Sequence, residues 1–517
     1  MKPAAGPAVS RPPSLAALVC TDGAAPAPSL GSLRGAGLGG GSFRNPVLAG
    51  DHPEPALLQD GADYYLSCAS FQSCPGVVIW HSRDLVHWVP IGAALARVIG
   101  SVHAVNLIQH AGRYFIYLGV RTPQGTAIHV VHADDMRGPW SAPIDLGLPG
   151  CAAPAHVVDE ASQRHLLVNG LQRVRLSDDG LATAGGLSGT DCPALESARM
   201  LRHGEFVYLI TTASGSAVHR ATVARAPSVH GPWEACPFDP VTGSAGAADP
   251  WQTGGPLNLV QGPAGDWWMV CHGHEKGFRT LGRQTLLQPV GWTREGWFRV
   301  TGSALDRPQR MPRGGTAGAE AMAAAGLSDD FTRDRLGTQW SFFDAAPDEL
   351  RRAHYDGAGL LLRGKGTGLA DCSPLTCTVG DHSYEAELDF ELIGAVQGGL
   401  ALFHDARGFV GVGIGDGLMH TYNYGQEHNW TQQPVLGVRH RLRVTHHQQR
   451  ITFEHAAGDG PWVQNPWLNE VSALHQNVFG GFPSLRPALF AAGAGEVRLR
   501  RFSYRATVGL AALAGTT

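Results

Sequence analysis

The amino-acid sequence predicts an all-β protein built from two folded domains. Its 517 residues exceed what one hydrophobic core usually serves, so two domains are the expected number. The 68 Gly, 34 Pro and 13 Trp residues are typical of many short strands joined by turns rather than of a helical protein. A strand pattern that repeats in the N-terminal part supports the same fold class.

This pattern is a turn with Gly or Asp followed by an aromatic or apolar strand. It occurs five times, at residues 63–66, 112–117, 163–168, 204–209 and 265–270. Several of these strands are followed by a second strand and a turn that ends in tryptophan, at Trp88, Trp140 and Trp233. The spacing is compatible with the blades of a β-propeller.

After Trp292 the pattern stops, and residues 307–326 form a stretch of Pro, Gly and Ala that predicts a linker. A new unit begins at Asp329. Its strand-like runs are residues 359–362, 384–390, 399–403, 409–414, 439–445 and 497–504.

At the other end, the first 42 residues are rich in Ala, Pro, Gly and Ser and predict a flexible leader. Its apolar run at 15–19 is short for the core of a signal peptide, so export is not supported and a cytoplasmic location is slightly favoured.

Charge and cysteine content exclude several functional classes. With 40 basic and 44 acidic residues, the chain has no electrostatic footprint for nucleic acid or an anionic membrane, whereas a neutral glycan remains compatible. No run of about 20 apolar residues predicts a membrane span. The nine cysteines form no C-x-x-C pair, which argues against a zinc ribbon or a disulfide framework. Cys372 and Cys377 could form a local bridge, but free buried thiols are the favoured interpretation.

The stretch between Asn45 and Trp88 carries a family resemblance. It begins N-P-V-L-A-G-D-H-P-E-P and closely resembles the first blade of glycoside hydrolase family 43, the β-xylosidases and α-L-arabinofuranosidases. The resemblance covers residues ~43 to ~506 and implies a five-bladed β-propeller followed by a concanavalin-like β-sandwich. It divides the chain into a leader (1–42), the propeller (43–306), a linker (307–326), the sandwich (327–507) and a tail (508–517).

Glu54 fills the slot of the family's catalytic base, an aspartate in H-x-D-P or H-P-D-P. The resemblance implies an inverting reaction, in which a carboxylate activates water while a carboxylic acid protonates the leaving oxygen. The longer glutamate stem moves the carboxylate by about one bond length, and a misplacement of about 1 Å can cost on the order of 100-fold in rate. A displaced but working base and a vestigial hydrogen-bonding residue both stay open. Asp51, in the same turn, is a weaker candidate that could cap the turn or contact substrate.

Glu196 fills the slot of the general acid, since D-C-P-A-L-E-S-A-R resembles the family strand that carries E-G-P-H. Gly-Pro-His has become Ser197, Ala198 and Arg199. If Arg199 faced Glu196, its charge would lower a pKa that an acid catalyst needs raised. A solvated charge at a strand edge is the alternative interpretation of Glu196.

The third family carboxylate, an aspartate before proline, is replaced by Ala153 if Pro154 holds the register. His156 and Asp159 lie nearby, but they are better explained as a strand residue and a β-turn residue. The family's W-A-P is replaced by His103-Ala104-Val105, and its G-H-G by Gly255-Pro256-Leu257. Loss of that histidine argues against a central metal, and no cofactor is expected.

Other neighbours of the site match the family. Phe71 and Trp80 resemble the aromatic walls of the sugar pocket, although Phe71 could equally be blade packing. L-G-R-Q-T at 281–285 matches L-G-R-E-T, so the resemblance assigns Arg283 to substrate hydroxyls. His272 and His274 form the chain's one H-x-H, but without a third ligand nearby the sequence favours ordinary strand positions over a metal site.

Three hypotheses follow for the function. The first is an exo-acting glycoside hydrolase that acts on xylosides or arabinofuranosides from hemicellulose, with Glu54 as base and Glu196 as acid. The second is a glycan-binding protein that has lost catalysis, favoured by Ala153 and Pro256. The third is a hydrolase of the same scaffold with a changed sugar specificity. The expected partner is an oligosaccharide or glycoside, and homo-oligomerisation stays open.

Overall fold

Each of the five repeated strands forms the second strand of a small antiparallel sheet. The computed structural model describes residues 34–189, 195–213, 220–238, 249–315, 326–428 and 432–507. Side chains that alternate along these strands pack inward; Tyr64 and Leu66, two residues apart, are 1% and 0% exposed. The all-β prediction is confirmed, because the helices described are single turns at Arg279–Leu281, Glu349–Arg352 and Gln476–Phe479.

The five sheets follow one another along the chain and are numbered here in that order. Sheet 1 contains Ala56–Asp60, Asp63–Ser67, Gly76–Ser82 and Val89–Leu95. Sheet 2 contains Ser101–His110, Arg113–Thr122, Gly125–Ala133 and Ile144–Asp145. Sheet 3 contains Ala155–Val158, Arg164–Val168 and Gln172–Arg175. Sheet 4 contains Leu195–His203, Phe206–Ala213, Arg220–Ala226 and Glu234–Ala235. Sheet 5 contains Trp251–Gln261, Trp267–Glu275, Arg283–Trp292 and Phe298–Val300.

These sheets close into a ring. The first strand of each sheet contacts the first strand of the next, and Trp251–Gln261 of sheet 5 contacts Ala56–Asp60 of sheet 1. Separate apolar clusters fill the spaces between successive sheets, including one in which Val270 of sheet 5 and Leu66 of sheet 1 take part. An antiparallel bridge between Leu48 and Thr285 ties the segment before sheet 1 to sheet 5. The first strands therefore line the centre of the ring.

The C-terminal part consists of two larger antiparallel sheets. The nine-stranded sheet contains Ser73–Cys74, Trp340–Phe343, Leu375–Cys377, Val396–Asp405, Gly408–Gly415, Leu418–Asn423, Gln426–Glu427, Gln433–Pro434 and Arg486–Gly493. The seven-stranded sheet contains Ala353–Tyr355, Leu360–Arg363, Ser383–Ile393, Arg439–His447, Arg450–Ala457, Val463–Glu470 and Glu496–Ala506. Five of the six strand-like runs predicted for this part lie in these strands, and the sixth, 359–362, begins one residue before Leu360–Arg363. One apolar core, with Leu400 and Leu489 from the first sheet and Leu388 and Val444 from the second, lies between them.

The N-terminal and C-terminal parts are joined through backbone pairing. Ser73–Cys74, from the loop between the second and third strands of sheet 1, pairs with Trp340–Phe343 and so extends the nine-stranded sheet. Two short strands also lie in segments predicted as leader and linker, since Gly37–Gly39 and Gln309–Arg310 each pair with Ser42–Phe43. The described residues from 34 to 507 belong to one compact unit.

The predicted free thiols are confirmed for Cys372 and Cys377, which are buried and unbridged like most of the other described cysteines. Within the described ranges, the structure contains no helix of the length and apolarity that crossing a bilayer requires.

Candidate active site

Glu54 lies on the turn that enters the first strand of sheet 1, where the first strands converge. Its φ of 55° is in the left-handed region, which costs a residue other than glycine on the order of 1–3 kcal/mol. The backbone N–H of Glu54 donates a 2.9 Å hydrogen bond to Nδ1 of His272, in the second strand of sheet 5. The ring of His272 in turn lies against Gly255, where any side chain would clash with it. Sheet 5 therefore holds the Glu54 turn in its unusual conformation.

The nearest described cation to the Glu54 carboxylate is Arg283. Oε1 of Glu54 lies 3.7 Å from Nη1 of Arg283 and 3.9 Å from Nδ1 of His272. His272 Nδ1 already accepts the Glu54 N–H, so it is no donor to the carboxylate. At 3.7 Å the contact with Arg283 is electrostatic rather than a hydrogen bond. The Glu54 side chain is 21% exposed, so a small molecule can approach it.

Asp51 fastens the same turn to the strand of Arg283. Oδ1 of Asp51 accepts a 2.9 Å hydrogen bond from the backbone N–H of Arg283, and the N–H of His52 donates to the Arg283 carbonyl over 2.7 Å. Burial raises the pKa of Asp51 above its ordinary value, against the lowering charges of Arg283 and Arg486. The turn-capping interpretation of Asp51 fits these contacts.

His52 and Trp80 form one wall beside this turn. Their rings meet edge to face with centroids 5.1 Å apart. Burial lowers the pKa of His52 to about 4, so the ring is neutral at pH 7. Trp80, predicted to form an aromatic wall of the sugar pocket, lies in the third strand of sheet 1.

A second wall surrounds the Arg283 guanidinium. Phe71 stacks on Phe482 with centroids 5.2 Å apart, and His103 meets both rings edge to face at 5.2 Å. The guanidinium carbon of Arg283 is 5.3 Å from the Phe71 centroid and 5.1 Å from that of Phe482. Burial and the charges of Arg121 and Arg283 lower the pKa of His103 to about 4. The structure thus brings Phe71, His103 and Arg283 together.

The C-terminal part completes this wall through the segment 480–486. Besides Phe482, the segment contributes the buried Arg486, the first residue of a strand in the nine-stranded sheet. The backbone N–H of Leu485 donates to the Thr280 carbonyl over 2.8 Å and fixes the segment against sheet 5. Amide Nε2 of Gln476 lies 3.0 Å from Nε2 of His274. The sequence left open whether the C-terminal part reaches the pocket, and the structure shows that it does.

Arg199 enters the centre of the ring from the first strand of sheet 4. Its Nη2 donates to the Val105 carbonyl over 2.9 Å and its Nη1 donates to the Ala198 carbonyl over the same distance. Burial lowers the pKa of Arg199 to about 10, while the charge of Glu54 raises it. Arg199 is therefore a buried cation that interacts electrostatically with Glu54.

Of two other predicted positions, the structure describes only the backbone of Glu196 but all of Ala153. The side chain of Glu196 lies outside the described residues; its backbone belongs to Leu195–His203, where the pairing register shifts between Leu195 and Ser197. Such bulges are common beside active sites. Ala153 is buried with a φ of 50° just before the first strand of sheet 3, so no carboxylate enters the ring at this position.

His156 and Asp159 are a strand residue and a turn residue, as predicted. His156 lies on the strand Ala155–Val158 and its Nε2 accepts from Arg164 Nε over 3.1 Å. The Asp159 carboxylate accepts from the N–H groups of Ala161 and Gln163 and pairs with His165 at 2.8 Å. Within the described ranges, no group of three or more His, Cys, Asp or Glu side chains is arranged to hold a metal ion.

A cavity of about 350 Å³ adjoins these walls, between sheet 1 and the nine-stranded sheet. This volume lies in the range of small-molecule sites. Its lining includes Asp51, His52, Phe71, Trp80, Pro483 and Arg486. Asp51, Phe71 and Trp80 therefore border one space with Pro483 and Arg486 of the C-terminal segment.

Sequence reasoning missed three residues of this site. His272 was one member of an H-x-H without a third ligand, and nothing local pointed to the turn that it supports. Phe482 and Arg486 come from a segment that reaches the pocket only through tertiary packing. The aromatic and basic character of F-P-S-L-R at 482–486 was the one available signal.

Comparisons with known proteins agree with this arrangement. Residues 43–298 match the model of glycosyl hydrolases family 43. The non-reducing end alpha-L-arabinofuranosidase BoGH43B of Bacteroides ovatus is 28% identical over 330 residues, which are 58% of this chain and 61% of that protein. The beta-xylosidase of Bacillus subtilis is 29% identical over 304 residues, 50% of this chain and 56% of that protein. The chain thus spans about three fifths of the length of the curated relatives it matches.

Solved structures resemble a larger part of the chain. The GH43 BlXynB protein from Bacillus licheniformis matches with a TM-score of 0.80 and 23% identity, over 90% of this chain and 100% of that chain. A xylan beta-1,4-xylosidase from Bacillus halodurans matches with a TM-score of 0.77 and 22% identity, over 89% of this chain and 99% of that chain. The likeness shows a shared fold across both the ring of sheets and the two large sheets.

Proposed function

We propose, from the premise that this chain belongs to glycosyl hydrolases family 43 through residues 43–298, that it is an exo-acting glycoside hydrolase. It removes xylosyl or arabinofuranosyl residues from the ends of hemicellulose-derived oligosaccharides by an inverting reaction. The observation that carries this proposal is the convergence of the Glu54 turn, Arg283 and the Phe71 wall at the centre of the ring. The relatives named above are a beta-xylosidase and an alpha-L-arabinofuranosidase, which supports this substrate class.

The same premise extends to the fold and the domain boundaries. We interpret sheets 1 to 5 as the blades of a five-bladed β-propeller at residues 43–306, because the sheets pack in a closed ring. Residues 307–326 then link it to a concanavalin-like β-sandwich at 327–507, supported by the apolar core that the two large sheets share.

In the proposed reaction, Glu54 is the base. Its carboxylate is 21% exposed and lies 3.7 Å from Nη1 of Arg283, and it takes the proton of the water molecule that attacks the sugar. Glu196, on the first strand of sheet 4, is the acid that protonates the leaving oxygen. An inverting enzyme needs its two carboxyl groups about 6.5–9.5 Å apart to hold that water. Arg283 donates to sugar hydroxyls, and the aromatic rings cover the apolar face of the sugar.

A specific observation favours a second candidate, a glycan-binding protein without catalysis. Ala153 brings no carboxylate to the ring, so no charge at this position raises the pKa of the acid. The pocket walls would then bind a sugar whose glycosidic bond stays intact.

Hydrolysis of 4-nitrophenyl β-D-xyloside and α-L-arabinofuranoside by the wild type, Glu54→Gln and Glu196→Gln separates the two candidates. The proposal expects wild-type turnover and a loss of at least about 100-fold in both variants, the lower range of acid–base catalysis. The anomer first released, read by NMR, should be inverted. Turnover that is equal in all three proteins would remove Glu54 and Glu196 from the mechanism. Sugar binding by calorimetry without any turnover would favour the second candidate.

A further inference from the structure

Two buried guanidinium groups, each interacting electrostatically with Glu54, carry donors that no described protein group uses. Arg199 and Arg283 are each 8% exposed. Among the described residues, Nε of Arg199 and both Nε and Nη2 of Arg283 have no hydrogen-bond partner. A buried donor without a partner is costly, and more so when it belongs to a charged group. These nitrogen atoms are therefore expected to bind a group that arrives with the ligand.

The described charges around the pocket do not balance. The described cations near Glu54 or in the lining of the cavity are Arg34, Arg199, Arg283, Arg335 and Arg486, and the carboxylates are Asp51, Glu54 and Glu275, which pairs with Arg34. Oδ1 of Asp51 accepts the backbone N–H of Arg283, and Oε1 of Glu54 lies 3.7 Å from Nη1 of Arg283. A general acid at Glu196 would be protonated before the reaction and would add no negative charge. Among the described residues, five cations against three carboxylates leave two positive charges in excess.

Neighbouring histidines do not change this balance. Burial and nearby arginine charges lower the pKa of His103 to about 4 and that of His274 to about 3, so both rings are neutral at pH 7. At the position of Ala153, where a carboxylate would offset the cations, the side chain is a methyl group. The excess charge is therefore left for a ligand to neutralise.

We propose that the terminal sugar which this pocket accepts carries a carboxylate, as a hexuronic acid does, and that Arg199 and Arg283 bind it. A planar guanidinium matches a planar carboxylate through parallel charge-assisted hydrogen bonds, and a carboxylate on the sugar offsets part of the excess positive charge. Sugar hydroxyls alone would occupy the donors without neutralising the charge. The inference rests on the exo-acting hydrolysis proposed above and revises its sugar, since the preferred terminal residue is then a hexuronosyl group and the xyloside the weaker substrate.

The test uses three glycosides that differ at one ring carbon. 4-Nitrophenyl β-D-glucuronide carries a carboxylate where the β-D-glucoside carries a hydroxymethyl group and the β-D-xyloside carries hydrogen. We expect kcat/KM for the glucuronide to exceed that for the other two by about 10- to 100-fold, the range of one or two charge-assisted hydrogen bonds. Calorimetry with D-glucuronate, D-glucose and D-xylose measures the same preference without turnover.

Variants assign the preference to Arg199. Arg199→Lys keeps the charge but loses the planar fork, and Arg199→His introduces the residue of the family motif. Both should lower the ratio of glucuronide to xyloside kcat/KM by about tenfold or more. The matched control is Arg83→His, on a side chain that is 58% exposed at the surface, which should leave the ratio unchanged. Thermal unfolding of each variant checks the fold, and the wild-type comparison stands even if an Arg199 variant does not fold.

The outcomes separate this inference from the proposed function. Cleavage of the xyloside with no preference for the glucuronide, and no preference for glucuronate in calorimetry, would overturn the inference and keep the function. Binding of glucuronate over xylose without cleavage of any glycoside would support the inference and overturn the function. If the protein neither cleaves any of the glycosides nor binds any of the sugars, both the inference and the proposed function are overturned.

Discussion

Phe482 of the C-terminal part stacks on Phe71 of the N-terminal part, with ring centroids 5.2 Å apart and planes within 8° of parallel. Arg283 lies over both rings, at 5.3 and 5.1 Å from their centroids. The two parts therefore build one wall of the pocket together. Neither part alone would place two aromatic rings against the guanidinium.

Replacing Phe482 by alanine should weaken substrate use more than it weakens the fold. The variant loses an aromatic pair worth about 0.5–1.5 kcal/mol and one wall of the Arg283 guanidinium, so we expect kcat/KM to fall by about tenfold. Steady-state kinetics with the best nitrophenyl glycoside measures this change. Phe479→Ala is the matched control, because Phe479 packs on Tyr424 outside the pocket. Equal kcat/KM values for the two variants would exclude a substrate-positioning role for Phe482.

Most strands could be predicted from the sequence because their signals are local. A turn followed by alternating apolar residues marks the second strand of every small sheet, and Arg164–Val168 and Trp267–Glu275 lie where the repeats placed them. Pairing between distant segments has no such signal. Ser73–Cys74 joins the nine-stranded sheet only because tertiary contacts place it beside Trp340–Phe343.

The site divides in the same way. Glu54, Phe71, His103 and Arg283 lie within motifs whose order along the chain fixes their positions in the ring. The sequence could pose the question of what Arg199 faces but could not answer it, because the direction of a long side chain depends on packing. In the structure Arg199 donates to the carbonyl of Val105, on a strand of another sheet. The direction of such a side chain is known only from the structure.

His272 should act as a positioning residue for Glu54. His272→Leu removes the acceptor of the Glu54 N–H, so the turn can relax from its left-handed φ and displace the carboxylate. A displacement of about 1 Å lowers the rate by up to about 100-fold, so kcat should fall by about 10- to 100-fold with little change in KM. His272→Asn offers an amide oxygen near the position of Nδ1 and should recover most of kcat. If the Asn variant is as slow as the Leu variant, the hydrogen bond is not what positions Glu54.

Restoring the family carboxylates should raise activity on xylosides. Glu54→Asp together with Ala153→Asp returns the base to its shorter stem and adds a negative charge that raises the pKa of the acid. Both positions have positive φ, which aspartate tolerates better than glutamate or alanine, so the fold should be kept. We expect kcat on 4-nitrophenyl β-D-xyloside to rise by about tenfold, with each single variant contributing less. No change in the double variant would mean that residue 153 does not occupy the aspartate slot.

Acid should destabilise the protein through its buried neutral histidines. His446 is buried, its ring stacks on Tyr384 at 4.8 Å, and burial lowers its pKa to about 4. In the unfolded chain a histidine takes up its proton near pH 6.5. Between pH 6.5 and about 4 the unfolded state therefore binds a proton that the folded state does not, and stability is lost as the pH falls through this window. Over the whole window one such group costs about 3 kcal/mol of folding free energy.

His446→Phe removes this term and keeps an aromatic ring against Tyr384, so its Tm should fall less than that of the wild type between pH 7 and pH 5. Calorimetric scans at matched rates measure the two differences. Parallel decreases in Tm would show that His446 contributes nothing to the acid sensitivity of the fold.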